Sequence, residues 1–173
     1  MRLTWVLPSI TYTEESVMRA LLVAITSLMF ISGAALADGH GHLAKSGVIK
    51  FHTGWACEYP TTPGSNDTAV GGVSCQGYTF SSDGSPALHE GVAGCYGAYD
   101  INGDIVGKCS WSDADGDNLY TSFDGNAATN KGTNYITGGT GKYAGITGQG
   151  PWVCKGAAGG ESMCNQSLTY EIK

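Results

Sequence analysis

The stretch Gly91-Val92-Ala93-Gly94-Cys95-Tyr96-Gly97-Ala98-Tyr99-Asp100-Ile101-Asn102-Gly103-Asp104-Ile105-Val106-Gly107-Lys108-Cys109-Ser110-Trp111-Ser112 reads as two β-strands folded back on each other about Asn102-Gly103. Asn-Gly tolerates the positive φ angles that a tight hairpin turn demands. After the turn, Ile105, Cys109 and Trp111 alternate with Lys108 and Ser110, which sets an apolar face against a polar one. Cys95 and Cys109 stand nearly symmetrically about the turn, where a disulfide would staple the hairpin.

The same pattern extends in both directions. Short β-prone stretches alternate with clusters of Gly, Asn, Asp and Ser, and no helical period intervenes. Eight strands are expected, over residues 48–58, 70–80, 91–101, 104–112, 118–125, 133–137, 146–155 and 162–172. In the first, Ile49, Phe51, Trp55 and Cys57 oppose Lys50 and His52; in the last, Cys164, Leu168, Tyr170 and Ile172 oppose Asn165, Ser167, Thr169 and Glu171. Eight amphipathic strands joined by short turns close most economically into an antiparallel β-barrel, with a two-sheet sandwich as the alternative.

Composition agrees with an all-β fold. The chain has 173 residues, 27 of them glycine and nine tyrosine, and its 14% charged fraction is well below the roughly 25% of an average soluble domain. That length holds one core. The net charge is −6 and the only arginines are Arg2 and Arg19, so the chain lacks the means to grip phosphates and a nucleic-acid partner is not expected.

Residues 1–37 read as a secretory signal. Met18-Arg19 precedes the apolar run from Ala20 to Ile31, and Ala35-Leu36-Ala37 supplies a cleavage site. The run is shorter than the roughly 20 residues of a membrane span, so no membrane association is expected after cleavage. Glu14 and Glu15 disagree with a positively charged leader and point to Met18 as the start. Residues 38–47 then form a Gly/His tail and 48–173 the barrel, secreted or periplasmic.

All six cysteines follow the cleavage site, and an even number in an exported chain points to a disulfide framework. No CxxC spacing suggests zinc. Each sequential pair brackets a turn-rich segment, which predicts Cys57–Cys75, Cys95–Cys109 and Cys154–Cys164. A Cys57–Cys164 bridge is the rival if the first and last strands pair.

The segment from Ile136 to Gly148 contains Gly138-Gly139-Thr140-Gly141-Lys142-Tyr143-Ala144-Gly145-Ile146-Thr147-Gly148, which resembles the glycine-rich turn of the allene oxide cyclase-like and dirigent-like barrels. The run from Cys109 to Asp117 resembles secreted bacterial members of that superfamily. The resemblance implies an eight-stranded barrel that binds apolar or phenolic molecules inside. It also implies charged residues in the dirigent cavity, arginine among them, and here no arginine follows Arg19.

Motifs for catalysis are absent. There is no GxSxG, Ile136 stands where a phosphate-binding loop ending in Gly141-Lys142 needs glycine, and His89-Glu90 reads as a solvated surface pair. Fold does not supply function. The expectation is therefore a non-catalytic binding or structural module, with a small apolar or phenolic ligand at Trp55, Trp111 and Tyr170, and with a cyclase or isomerase, or a copper-binding protein using its amino-terminal tail, as the alternatives. Inward cysteines and aromatics leave little cavity, although Gly91, Ala93, Gly97 and Gly107 are small enough to open one.

Two segments have metal-binding chemistry. Cleavage after Ala37 would expose Asp38-Gly39-His40-Gly41-His42, whose amine, two backbone amides and His40 imidazole suit square-planar Cu(II), with His42 as a secondary ligand. Asp113, Asp115, Asp117 and Asp124 have the outer spacing of a twelve-residue Ca²⁺ loop, but Asn118 replaces its glycine and the flanks are strands. A tight Asp/Gly hairpin turn is the competing reading there.

Overall fold

The computed structural model describes residues 42–60, 70–156 and 160–173. Eight antiparallel strands follow in chain order: β1 (Ser46–Glu58), β2 (Gly71–Ser81), β3 (Gly91–Tyr99), β4 (Asp104–Ser112), β5 (Asn118–Asn126), β6 (Lys131–Gly139), β7 (Ile146–Gly156) and β8 (Glu161–Ile172). Each pairs with the next, and β1 pairs with β8 from Ser46↔Glu171 to Ala56↔Glu161. That last pairing closes a barrel and excludes a sandwich. Closure also removes the free edges that an open sheet would expose.

The expected strands agree with the observed ones to within about two residues. The first strand begins at Ser46, two residues inside the expected tail. The signal sequence, the choice of Met18, Asp38 and His40 lie outside the described residues. Among the described residues no helix is long and apolar enough to cross a membrane.

The three disulfides are Cys57–Cys75, Cys95–Cys109 and Cys154–Cys164. Each joins directly opposed residues of one hairpin. Although β1 and β8 do pair, Cys164 faces Thr53 rather than Cys57, so the rival bridge is excluded. Each closure contributes on the order of 3 kcal/mol in the chain-entropy model.

The two barrel ends differ. At one end the loop between β2 and β3 folds Ala87 and Leu88 inward, and the short 3₁₀ turn Gly141–Tyr143 drives Tyr143 beneath them. Together with Phe51, Trp111, Leu119 and Leu168 they form a plug, each of these side chains 0–1% exposed. Burying each large side chain contributes roughly 1.5–3 kcal/mol. The opposite end, where β1, β3, β5 and β7 finish, carries the disulfides.

Candidate functional site

At this disulfide-bearing end a cavity of about 310 Å³ enters the barrel. Alternation turns every second residue of a strand inward, and here the inward residues are Trp55, Cys57, Val73, Cys75, Cys95, Ile105, Cys109, Phe123, Trp152, Cys154 and Cys164. All six half-cystines therefore face the cavity. Trp55 packs edge-on against Trp111, with centroids 5.5 Å apart, and Trp111 packs in turn on Phe51 at 5.3 Å. Tyr59 and Tyr99 make a looser edge contact at 6.3 Å near the rim.

Space for these rings comes from glycine on the neighbouring strands. A Cβ on Gly107 would lie 2.6 Å from the Phe123 ring, and one on Gly97 would lie 3.1 Å from it. Gly97 and Gly107 thus seat Phe123 and are filled by it, Gly91 lies against Thr79 and the Ser112 carbonyl, and none of Gly91, Ala93, Gly97 and Gly107 borders the cavity. It lies nearer the rim, among the disulfides. Contrary to the expectation of a filled barrel, the disulfides line this space without occupying it.

Polar groups on the wall come from Asn130, Ser162 and a buried amide relay. Asn134 Nδ2 donates to Gln166 Oε1 at 2.7 Å, and Gln166 Nε2 donates to Thr53 Oγ1 at 2.8 Å. All three residues are buried. Trp111 Nε1 donates to Thr121 Oγ1 at 2.9 Å, and Trp152 Nε1 to the Asp124 carbonyl at 3.1 Å. Among the described residues, the ionisable groups on the cavity wall are Tyr59 and Glu161, both solvent-exposed. Such a site favours a neutral molecule with aromatic or apolar surface and one or two hydrogen-bonding groups.

Of the ligand residues expected from sequence, Trp55 and Trp111 line the cavity. Tyr170 instead pairs with Gly47 and Gly148 near the plugged end. Burial raises its phenol pKa above the ordinary value. Phe123, Trp152, Asn134 and Gln166 belong to the site and were not singled out by sequence. Trp152 was legible as the inward neighbour of Cys154, two residues away, and Gln166 as a polar residue in the inward phase between Cys164 and Leu168.

The acidic turn is organised around a lysine. Lys142 Nζ lies 2.8 Å from Asp113 Oδ2 and 2.6 Å from Asp115 Oδ2, while Asp117 Oδ2 accepts from the Lys142 backbone N–H at 3.0 Å. Tyr143 OH donates to Asp113 Oδ2 at 2.9 Å and accepts from the Leu88 N–H at 3.0 Å. Asp124 is not part of this group; on β5 it accepts from Tyr135 OH at 3.0 Å. The four aspartates therefore do not converge, and the ammonium holds the place between Asp113 and Asp115. Among the described residues no group of three or more His, Cys, Asp or Glu is arranged to hold a metal.

Electrostatics match this packing. Burial is the largest influence on Lys142 and opposes its charge, yet hydrogen bonds and attraction from Asp113 and Asp115 hold its pKa above the ordinary lysine value. Burial, followed by the Asp113 charge, pushes the Tyr143 phenol far up. Gly141 is required here: its φ is +53°, and a Cβ would collide with the Asp117 carboxylate. This cluster locks the plug. His89 and Glu90 form an exposed 3.8 Å pair, and His42 is also exposed.

A second concavity, a broad trough of about 980 Å³, runs over the barrel's outer face and is bordered by exposed Tyr78, Val92, Tyr96 and Met163.

No protein-family model matches the chain, and no curated protein matches it in sequence. Solved structures do. A pterocarpan synthase dirigent protein superposes with a TM-score of 0.53 at 11% identity, covering 76% of this chain and 99% of that one. A nonspecific heme-binding cyclase, which catalyses a cycloaddition during neoabyssomicin biosynthesis, gives 0.51 at 16% identity, over 94% of this chain and 78% of that one. The Diels Alderase AbmU from Streptomyces koyangensis gives 0.50 at 12% identity, over 95% and 84%. At these identities the likeness is one of fold: the chain has the eight-stranded barrel shared by dirigent proteins and cyclase-like Diels Alderases.

Proposed function

We propose that this protein is an exported binding module that holds a small, neutral, apolar or phenolic molecule in the barrel mouth and performs no chemistry on it. The observation that supports this reading is the composition of the cavity wall: tryptophan and phenylalanine rings, three closed disulfides and one amide relay, with Glu161 as the carboxylate at its edge. Three disulfides suit an oxidising compartment, in keeping with the signal sequence expected over residues 1–37. About 310 Å³ is at the small end of ligand pockets, which run from roughly 300 to 1,000 Å³.

A cyclase is the second reading, favoured by the fold shared with the cycloaddition catalysts. Cycloaddition needs confinement of the reacting groups rather than a positioned acid and base, so an apolar cavity does not argue against it.

Native mass spectrometry of protein isolated without denaturation tests the proposal. The expected result is a stoichiometric neutral adduct that dissociates chemically unchanged. Ala127→Trp at the cavity wall should abolish retention while the melting temperature is preserved. A bound species that differs covalently from the compound supplied would favour the cyclase, and no retention of any neutral aromatic compound would overturn both readings.

A further inference from the structure

Four of the six half-cystines form one row across adjacent strands. Cys57 on β1 is the register partner of Cys75 on β2, Cys75 is also the partner of Cys95 on β3, and Cys95 is the partner of Cys109 on β4. The two bridges join the outer pairs, each with Cα atoms 4.1 Å apart. That spacing marks the narrow, non-hydrogen-bonded pairs of an antiparallel sheet, whose Cα atoms are about 4.5 Å apart. A strand residue directs its N–H and C=O to the same neighbour, so Cys75 and Cys95 form the intervening wide pair. Wide pairs place Cα atoms about 5.5 Å apart, within the roughly 4.4–6.8 Å that a disulfide spans. The inner pair therefore meets the Cα requirement, its Cβ atoms, about 5.5 Å apart in a wide pair, have to close by about 1 Å for a bridge to form, and each of its members is already bonded outward.

Access is graded along the row. Cys57 and Cys75 are partly exposed, whereas Cys95 and Cys109 retain 6% and 7% exposure. All four face the cavity. The third bridge has no such neighbour, since Cys164 faces Thr53 on β1 and the Cys154 N–H meets the Asn130 carbonyl.

We propose that the row is a thiol–disulfide exchange track that admits small dithiols through the barrel mouth. A dithiol attacks the Cys57–Cys75 bridge, and its second thiol resolves the mixed disulfide. The dithiol leaves as a cyclic disulfide, having supplied two electrons, and Cys57 and Cys75 become thiols. The Cys75 thiolate then attacks Cys95 Sγ; the Cys75–Cys95 bond forms, the Cys95–Cys109 bond breaks, and Cys109 departs as a thiolate that takes a proton from water. This second step is redox-neutral. The bridge moves to β2–β3 and releases the β1–β2 and β3–β4 staples in the cavity wall, so the binding site becomes responsive to thiols.

Limited reduction of the intact protein tests this. After one molar equivalent of dithiothreitol and trapping with N-ethylmaleimide, non-reducing peptide mapping should find a Cys75–Cys95 peptide with Cys57 and Cys109 labelled to within about twofold of each other. Its yield should not depend on protein concentration, because the exchange is unimolecular. Cys154 and Cys164 should be labelled only together. Labelling of Cys57 and Cys75 together, with Cys95–Cys109 intact and no Cys75–Cys95 peptide, would overturn the proposal. In Cys57→Ser the single thiol should divide its label between Cys75 and Cys109, and label confined to Cys75 would contradict the track; if this variant does not fold, the wild-type map decides.

Discussion

Gln166 illustrates what one inward polar residue does in an apolar barrel. It accepts from Asn134 and donates to Thr53, so both ends of its buried amide have a partner. Gln166→Ala should destabilise the protein by about 2 kcal/mol, read as a lowered urea midpoint, because it strands two buried partners. Thr79 presents the opposite case: its buried Oγ1 has no hydrogen-bond partner. Thr79→Val, which removes the hydroxyl at nearly constant volume, should raise stability by about 1 kcal/mol in the same assay. Period-two alternation makes Thr53 and Gln166 legible in sequence as polar residues in the inward phase, just as it makes Trp55 and Trp111 legible. It does not give depth along the barrel axis, and that is why Tyr170, on the correct face, belongs to the plug rather than the cavity.

At the scale of elements, the acidic β4–β5 turn and the glycine-rich β6–β7 connection form a single structure. Both were readable as separate turns. Their union was not, because Asp115 and Lys142 are 27 residues apart and meet only when the barrel brings alternate loops to one end. The ion pair is nearly inaccessible, with side-chain exposures of 3% for Lys142 and 1% for Asp113. Lys142→Met should therefore cost roughly 3–5 kcal/mol by leaving the Asp113 carboxylate buried beside an apolar chain. The alkaline response follows from Lys142 and Tyr143, whose folded pKa values are both raised. A raised folded pKa stabilises fully below the unfolded value and progressively less above it. Stability should hold up to about pH 10 and fall as pH climbs beyond it, where the unfolded chain releases these protons first. Tyr143→Phe should flatten that fall in an unfolding series across the alkaline range, at the cost of the bonds to Leu88 and Asp113.

For the whole molecule, strand number, alternation and disulfide pairing were all present in local patterns of a few residues. Closure was carried by no local pattern, since it depends on β1 meeting β8 across the full length of the chain. The cavity was hidden for a related reason: sequence shows which residues turn inward but not that Phe123 consumes the space above Gly97 and Gly107 while a cavity remains nearer the rim. Three short staples carry much of the stability of so small a core, and full reduction should lower the melting temperature by roughly tens of degrees. The central claim is that the barrel mouth is the ligand site. Trp55, Trp111 and Trp152, the three tryptophans that follow residue 37, all line it. Titrating the isotopically labelled protein with 1-naphthol, a neutral bicyclic phenol, and following ¹H–¹⁵N correlation spectra tests the claim directly. The account predicts that the largest shifts fall on these three indole N–H groups and on the side-chain amides of Asn134 and Gln166. Shifts confined to the backbone amides of Tyr78, Val92 and Tyr96 on the outer trough, with the indoles unmoved, would contradict it.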